Sequence, residues 1–162
     1  MERNPYAPPK AEVADVGQGL APPPLWNPGA AANWSLLFSP AFGAFLHMKN
    51  WQALGEPAKA STAKVWVILT LVAIGGASTA AVLMPTNNNA GGFTRLIGFV
   101  LLIGWYASSG RGQMAYVKTR FGKDYPRRGW GKPLLFGLLA FIGFIAFTVG
   151  LALTTVGVRG GI

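Results

Sequence analysis

The sequence predicts an all-α membrane protein with three transmembrane helices and an N-terminal helical hairpin that is re-entrant or interfacial. Three observations lead to this fold class. Hydrophobic residues make up 51% of the 162 residues and charged residues only 12%, whereas soluble domains carry about 25% charged residues. Long apolar runs account for this deficit and favour membrane spans. A further apolar stretch is broken by Ser39-Pro40, which indicates two helices rather than one.

The chain begins with a proline-rich segment, residues 1–26, which contains six prolines. Proline fixes φ and lacks a backbone donor, so this composition predicts a disordered cytoplasmic tail with polyproline II stretches. A second interpretation is a docking peptide, because proline-rich segments suit aromatic-lined grooves.

Residues 27–55 are predicted to form the hairpin. Asn27-Pro28 and Ser39-Pro40 each place a capping residue before a proline at the first helical position. Gly55 then suits the end of the second helix. We therefore expect helices at 28–38 and 40–54.

Neither hairpin helix is long enough to cross a membrane alone. At 1.5 Å per residue they measure about 16 and 22 Å, whereas a hydrocarbon core is about 30 Å thick. Trp34 and Trp51 mark the ends of the stretch and are predicted to be interfacial anchors at the level of the headgroups. The alternative is a single kinked span.

Residues 56–162 are predicted to form a three-helix transmembrane domain. Its spans are expected at 63–84, 93–110 and 133–156. The segment after the second span predicts an amphipathic continuation in the headgroup region, which ends at Gly122.

The distribution of basic residues predicts the orientation of the spans. Segment 111–132 is rich in Lys and Arg, and segment 47–64 carries three lysines against one glutamate, whereas loop 85–92 carries no charge. Under the positive-inside rule both basic segments are cytoplasmic. Three spans then place the N-terminus in the cytoplasm and the C-terminus outside, with the hairpin in the cytoplasmic leaflet.

Small residues form smooth strips on the first and third predicted spans. Such strips allow another helix to approach closely, because association in lipid depends on packing. Two interpretations are open: the strips pack the protein's own spans together, or at least one strip faces a partner. The predicted helix-packing residues are Gly76, Ala80, Gly143, Ala146, Gly150 and Gly157.

A basic cluster with aromatic neighbours precedes the third span. Its charge alone is a topology signal, but Lys and Arg near a membrane also attract anionic lipid, at about 1 kcal/mol per residue. We therefore expect contact with anionic lipid or a partner, with Trp130 as a third interfacial anchor. The residues of this cluster are Lys118, Arg120, Lys123, Arg127, Arg128 and Lys132.

The sequence contains no pattern typical of a catalytic, metal or cofactor site. It has no cysteine, and its single histidine, His47, has no Cys, Asp or Glu close in sequence. No acidic residue lies within a predicted span, which argues against ion-coupled transport. The net charge of +9 lies beside the apolar runs, which favours membrane lipid over nucleic acid as its partner.

Three stretches carry a resemblance: "NPYAPP" (4–9), "NWSLLFSPAFGAFLHMKNW" (33–51) and "YPRRGWGKPL" (125–134). Together they resemble small proteobacterial inner-membrane proteins of unassigned function. The resemblance implies a small helical fold in a bacterial inner (cytoplasmic) membrane, so the outer side would be the periplasm.

The function predicted from these features is a non-enzymatic accessory or scaffold subunit. Its small-residue strips would pack against a larger membrane protein complex or a second copy of the chain, and membrane lipids would be its other partner. Two alternatives are an oligomeric small-solute channel or permease, with the broken hairpin lining the pore, and a lipid-interacting membrane organiser.

Overall fold

The computed structural model describes residues 21–83 and 90–160, and the regular elements within these ranges are helices. Most of the predicted disordered tail and most of loop 85–92 lie outside the described residues. The elements are α1 (Pro28–Leu37), α2 (Pro40–Ala53), α3 (Pro57–Leu83), α4 (Ala90–Trp105), α5 (Arg111–Phe121) and α6 (Gly131–Gly160), with a π-helical turn, Tyr106–Gly110, joining α4 to α5.

The hairpin helices α1 and α2 begin and end close to the positions that the prolines predict. The Asn27 side chain accepts hydrogen bonds from the backbone amides of Gly29 and Ala30 at 3.0 and 3.2 Å, as an N-cap residue does. Ser39 separates the two helices in an extended conformation (φ 158°, ψ 164°), but its hydroxyl makes no capping hydrogen bond to α2. The proline at the first position of α2 therefore defines this helix start without help from the serine side chain.

Glycines end α2 and α5. Gly55 and Gly122 have φ values of 71° and 60°, a region that residues with a Cβ atom rarely adopt. The backbone amide of Gly122 donates to the carbonyl of Lys118 at 3.0 Å, which satisfies one of the free carbonyls of the last turn. Gly122 therefore ends the amphipathic helix where the sequence predicts.

Three helices are long and apolar enough to span a membrane, which confirms that part of the predicted fold. They cover Pro57–Leu83, Gly92–Phe121 and Gly131–Val158, with mean hydropathies of 2.0, 1.2 and 2.5. The second is continuous from α4 through the π-helical turn to the end of α5, so the amphipathic extension belongs to the same helix as the apolar span. The described residues thus form a helical, multi-pass membrane protein.

Buried residues are confined to one end of the molecule. The last buried residue of α3 is Thr70, the first of α4 is Trp105, and the last of α6 is Gly137. Beyond these points no residue with a described side chain is buried, and Val72 and Leu153 are each 68% exposed. We call residues 21–70 and 105–137 the core region, and residues 71–83, 92–104 and 138–158 the apolar region.

Small side chains allow the helices of the core region to approach closely. Ala32 of α1 and Ala44 of α2 pack with Trp105, while Ala60 and Ala63 of α3 pack with Trp51 of α2. The hairpin thereby lies against the first half of α3 and against the junction between α4 and α5.

Candidate functional site

The centre of the core region is a network of buried amide groups around Asn50. The Asn50 side-chain oxygen accepts the backbone N–H of Trp26 at 3.0 Å, and its NH₂ group donates to the Trp26 carbonyl at 2.8 Å and to Gln113 Oε1 at 3.1 Å. One side chain thus satisfies both backbone polar groups of Trp26, as a neighbouring strand would. Asn50 connects the segment before α1 to α2 and α5.

Gln113 and His47 extend this network. Gln113 Nε2 donates to the backbone carbonyl of His47 at 2.8 Å, and His47 Nε2 lies 3.0 Å from the carbonyl oxygen of Pro28. Because a carbonyl oxygen can only accept, Nε2 carries the ring proton and Nδ1 is an acceptor. Asn50, Gln113 and His47 are each 0% exposed, so the polar faces of α2 and α5 point inward.

Burial determines the charge state of His47. It lowers the pKa of the imidazole to about 4, although the hydrogen bond to Pro28 acts in the opposite direction, because loss of hydration penalises the charged ring. The ring is therefore neutral at physiological pH. The neutral, fully buried ring donates a hydrogen bond to the Pro28 carbonyl and so joins the start of α1 to α2.

Two ring nitrogens in this network have no hydrogen-bond partner among the described residues: Nδ1 of His47 and Nε1 of Trp105. The centroids of the two rings are 5.2 Å apart. One atom is an acceptor and the other a donor. The described ranges contain no group of three or more His, Cys, Asp or Glu side chains that could hold a metal ion.

The π-helical turn positions the residues of α4 and α5 around this network. Its i→i+5 hydrogen bonds place residues five apart on one face, so Trp105 and Gly110 both lie toward the hairpin and both are buried. Gln113 and Val117 then follow on the buried side of α5. Without the wider turn, Trp105 would be rotated away from Gln113.

Gly43 is required where α2 meets α1 and Trp105. A Cβ atom at this position would overlap Ser35 Oγ and would lie 2.5 Å from Trp105 Cη2 and 3.1 Å from the Ala31 carbonyl oxygen. The Ser35 hydroxyl is itself fixed, because it donates to that carbonyl at 2.9 Å. No larger side chain fits here without a shift of the hairpin.

A second cluster fixes the start of α3 against α5. Lys59 Nζ lies 4.8 Å from the ring centroid of Trp51, 4.6 Å from that of Tyr116 and 3.3 Å from Glu56 Oε2. The Tyr116 hydroxyl donates to Glu56 Oε1 at 3.1 Å. Hydrogen bonds from Tyr116 and then Lys59 lower the pKa of the Glu56 carboxyl, because they favour its charged form.

The tryptophans predicted as interfacial anchors occupy different environments. Trp51 is only 3% exposed and contacts Tyr116 edge-on at 5.0 Å, so its ring packs within the core region, and its position at the level of the headgroups stays a prediction. Trp34 and Trp130 are half-buried, and Trp34 stacks on Phe38 at 6.0 Å. Only these two retain a free face.

The segment before α1 also binds the loop before α6. The backbone amide of Leu25 donates to the Pro126 carbonyl, and the amide of Arg128 donates to the Leu25 carbonyl, both at 2.9 Å. Trp26 Nε1 donates to the Gly129 carbonyl at 3.0 Å, and the Arg128 guanidinium lies 4.6 Å from the Trp26 ring centroid. The loop that leads into α6 is thus held against the hairpin.

Two hollows adjoin the first turns of α6. The first, which we call the basic cleft, has a volume of about 460 Å³ and is lined by Trp26, Arg128, Gly129, Gly131, Lys132 and Pro133. The second, the apolar groove, has a volume of about 290 Å³ and is lined by Trp34, Leu37, Phe38, Leu134, Leu138 and Phe141.

The predicted helix-packing residues do not contact other parts of the described chain closely. A Cβ atom on Gly76, Gly143, Gly150 or Gly157 would meet no other atom within 4 Å. Ala146 is exposed and Ala80 is half-buried. The strips are therefore not what holds the three helices together in this structure.

All six predicted basic residues lie in the core region, and each is exposed or half-buried. Arg128 and Lys132 line the basic cleft, whereas the Arg120 guanidinium donates to the Tyr116 hydroxyl at 2.8 Å. Arg127 lies 5.7 Å from the ring centroid of Tyr125. Lys118 and Lys123 are exposed. None of the six forms an ion pair with a carboxylate of the described residues.

Sequence reasoning missed the residues at the centre of the core region. His47 and Asn50 were visible as a polar face of α2, but their partners Trp26 and Gln113 lie 24 and 63 residues from Asn50. The available signal was the polar face itself, since a polar face on a helix in a membrane protein has to be covered by other polar groups.

Comparison with known proteins found no matching family model, no matching curated protein and no matching solved structure. The functional argument therefore depends on the geometry of this chain.

Proposed function

We propose that the protein is a non-enzymatic accessory or scaffold subunit of a bacterial inner-membrane protein complex. The observation that carries this proposal is the open strip of small residues on α6. Gly143, Gly150 and Gly157 lie on one face, and a Cβ atom on any of them would meet no atom within 4 Å. A helix from another subunit can approach such a face closely, because no large side chain keeps the two backbones apart.

The contacts of α6 within the chain are consistent with a partner on its open face, because they involve the opposite side of the helix. Thr148, Leu151, Ala152 and Thr155 are half-buried, and α6 contacts α3 within the chain. The chain thus covers one side of α6, while the glycine strip lies on the other. Gly76 of α3 is equally open, so two of the three spans offer a face to a second protein.

The core region suits a platform that fixes position and depth in the membrane. Its basic residues follow the positive-inside rule if this region lies on the cytoplasmic side. The N-terminus is then cytoplasmic and the C-terminus periplasmic, with the hairpin in or at the cytoplasmic leaflet. The buried amide network would keep this platform rigid while the apolar region contacts other helices.

The test is a pull-down of tagged protein from native membranes in mild detergent, with mass spectrometry of the eluate. The wild-type chain is expected to elute with a stoichiometric membrane partner. A Gly143→Leu, Gly150→Leu double variant adds bulk to the strip and is expected to lose most of that partner, because close helix packing depends on small residues.

The matched control is a Val149→Leu, Val156→Leu double variant. These residues have the same spacing on α6, are 51% and 69% exposed, and lie off the strip, so the partner should be retained. A wild-type protein that elutes only as a free monomer would refute the proposal. Elution as a homo-oligomer alone would move the assignment to the channel or permease, which liposome flux would then test.

A further inference from the structure

We propose that the basic cleft and the apolar groove together bind one anionic phospholipid, with its phosphate at Arg128 and Lys132 and one acyl chain in the groove. This site does not depend on the accessory-subunit function, because it is formed within one chain. It assigns a specific ligand class to two of the six basic residues.

The basic cleft has the charge and the rigidity that an anionic headgroup needs. Arg128 and Lys132 contribute two positive charges, and the cleft lining contains no acidic residue. Neither side chain is engaged by a carboxylate of the described residues. Arg128 is held in place by the Trp26 ring, 4.6 Å away, so less side-chain freedom is lost when its guanidinium binds a phosphate.

The apolar groove follows the basic cleft along α6. Along α6 the last residue of the cleft is Pro133, and Leu134, the next residue, begins the groove. From Lys132 to Phe141 the helix rises about 13 Å, from the charged end toward the apolar region. Headgroup and acyl chain follow one another in the same order in a phospholipid.

A close approach between α6 and α2 forms one border of the groove. A Cβ atom on Gly137 would lie 3.0 Å from Phe42 and 3.2 Å from Phe38, so only glycine allows the two aromatic rings to pack this near to the helix. Trp34, stacked on Phe38, lines the groove from α1. All six lining residues are apolar or aromatic, which suits a hydrocarbon chain.

A basic cleft together with an apolar groove favours a whole phospholipid over a phosphate group alone or a hydrocarbon chain alone. A free phosphate would use the cleft and leave the groove unfilled, and a zwitterionic lipid would bring a cation beside Arg128 and Lys132. Basic pockets between membrane helices on the cytoplasmic side are known sites for anionic headgroups. Charge complementarity and the order of cleft and groove along α6 therefore favour an anionic phospholipid.

The experiment is native mass spectrometry of the purified full chain after controlled delipidation, with dioleoyl phosphatidylglycerol and dioleoyl phosphatidylcholine added in equal amounts. The wild type is expected to retain one phosphatidylglycerol with about thirtyfold preference, given two basic residues near the headgroup at about 1 kcal/mol each. The double variant Arg128→Gln, Lys132→Gln should lose that preference. Leu138→Trp, which fills the groove at an exposed position, should weaken retention of both lipids.

Controls distinguish this site from general charge attraction and from simple phosphate binding. The double variant Lys118→Gln, Lys123→Gln removes the same charge from exposed positions outside the cleft, and its preference should match the wild type. Arg128→Lys keeps the charge and should retain most of the lipid even if Arg128→Gln disturbs the loop. Equal retention of the two lipids by the wild type, an equal loss in the Lys118/Lys123 control, or displacement by millimolar inorganic phosphate would each overturn the proposal.

Discussion

The core region and the apolar region use the same helices in opposite ways. In the core region α2 and α5 direct Asn50, Gln113 and His47 inward, where amides satisfy one another, while Phe45 on the opposite side of α2 is 43% exposed. In the apolar region α3, α4 and α6 present hydrophobic side chains outward, and no described side chain there is more than half-buried. The difference shows where the fold is determined: the polar network and close-packed small residues organise one end, and the spans extend from it.

This division has a physical basis in the surroundings of each region. Hydrocarbon is as apolar as the side chains of the spans, so burying leucine or phenylalanine there gains little. A polar group has no partner in hydrocarbon and must find one within the protein. We therefore expect substitutions in the polar network to have large effects and equivalent substitutions in the apolar region to have small ones.

The largest effect is expected at Asn50. Replacing Asn50 by Leu leaves the N–H and carbonyl of Trp26 and the Oε1 atom of Gln113 without this partner, and each such group costs about 1–3 kcal/mol. We expect the free energy of unfolding to fall by about 4 kcal/mol, measured by chemical unfolding in detergent micelles. Asn33→Leu is the control, because Asn33 is exposed. A similar loss in both variants would mean that the buried hydrogen bonds of Asn50 contribute no more to stability than an exposed asparagine does.

The next effect is expected at Gly43. A Gly43→Ala methyl group would overlap Ser35 Oγ and the Trp105 ring, and overpacking of this kind typically costs up to about 3 kcal/mol. The same unfolding measurement should show a loss of that size. A second variant, Gly43→Ala with Ser35→Ala, relieves one of the two overlaps and should recover part of the stability. No change in Gly43→Ala would mean that α1 and α2 pack less tightly than the structure shows.

A smaller effect is expected from pH, through His47. Its pKa is about 4 in the folded chain against 6.5 for an unperturbed histidine, so below pH 6.5 the unfolded chain binds a proton that the folded chain does not. Stability therefore falls as pH decreases from 6.5 to 4. Between pH 7.5 and pH 5 the expected loss is about 2 kcal/mol, at about 1.4 kcal/mol per pH unit.

The control for this pH dependence is His47→Gln, which stays neutral and can still donate to the Pro28 carbonyl. Its stability is expected to be nearly constant from pH 7.5 to pH 5. The lowered pKa of Glu56 adds a loss only at still lower pH, as the carboxylate becomes protonated. An unchanged pH dependence in His47→Gln would mean that another group titrates in this window.

The smallest effect, of opposite sign, is expected at Gly76 in the apolar region. Gly76→Ala adds a methyl group where nothing lies within 4 Å, and alanine favours a helix over glycine by about 0.5–1 kcal/mol. The free energy of unfolding of the purified monomer should rise by about that amount, whereas Gly43→Ala is expected to lower it. Destabilisation of the monomer by Gly76→Ala would contradict the open space that the structure shows at this face of α3.

The elements that could be predicted from sequence are those that depend on local chemistry. Asn27-Pro28, Ser39-Pro40 and Gly55 placed the hairpin helices within a residue or two of α1 and α2, because proline and glycine act through backbone sterics at their own positions. The three spans followed from length and hydropathy. The burial of Trp51 could not be predicted, since a tryptophan near the end of an apolar stretch is equally compatible with an exposed position and with a buried one.

The sequence by itself determined the class of the protein, the number of apolar helices long enough to span a membrane and the ends of most helices. Only the tertiary structure decided that Asn50 binds Trp26 and Gln113. It also decided that the π-helical turn directs Trp105 into the core, and that Arg128 and Lys132 line a cleft at the start of α6. The reason is the separation in sequence of the interacting residues. Caps, turns and hydropathy depend on neighbours in the chain, whereas the buried hydrogen bonds of Asn50 depend on partners that are 24 and 63 residues away.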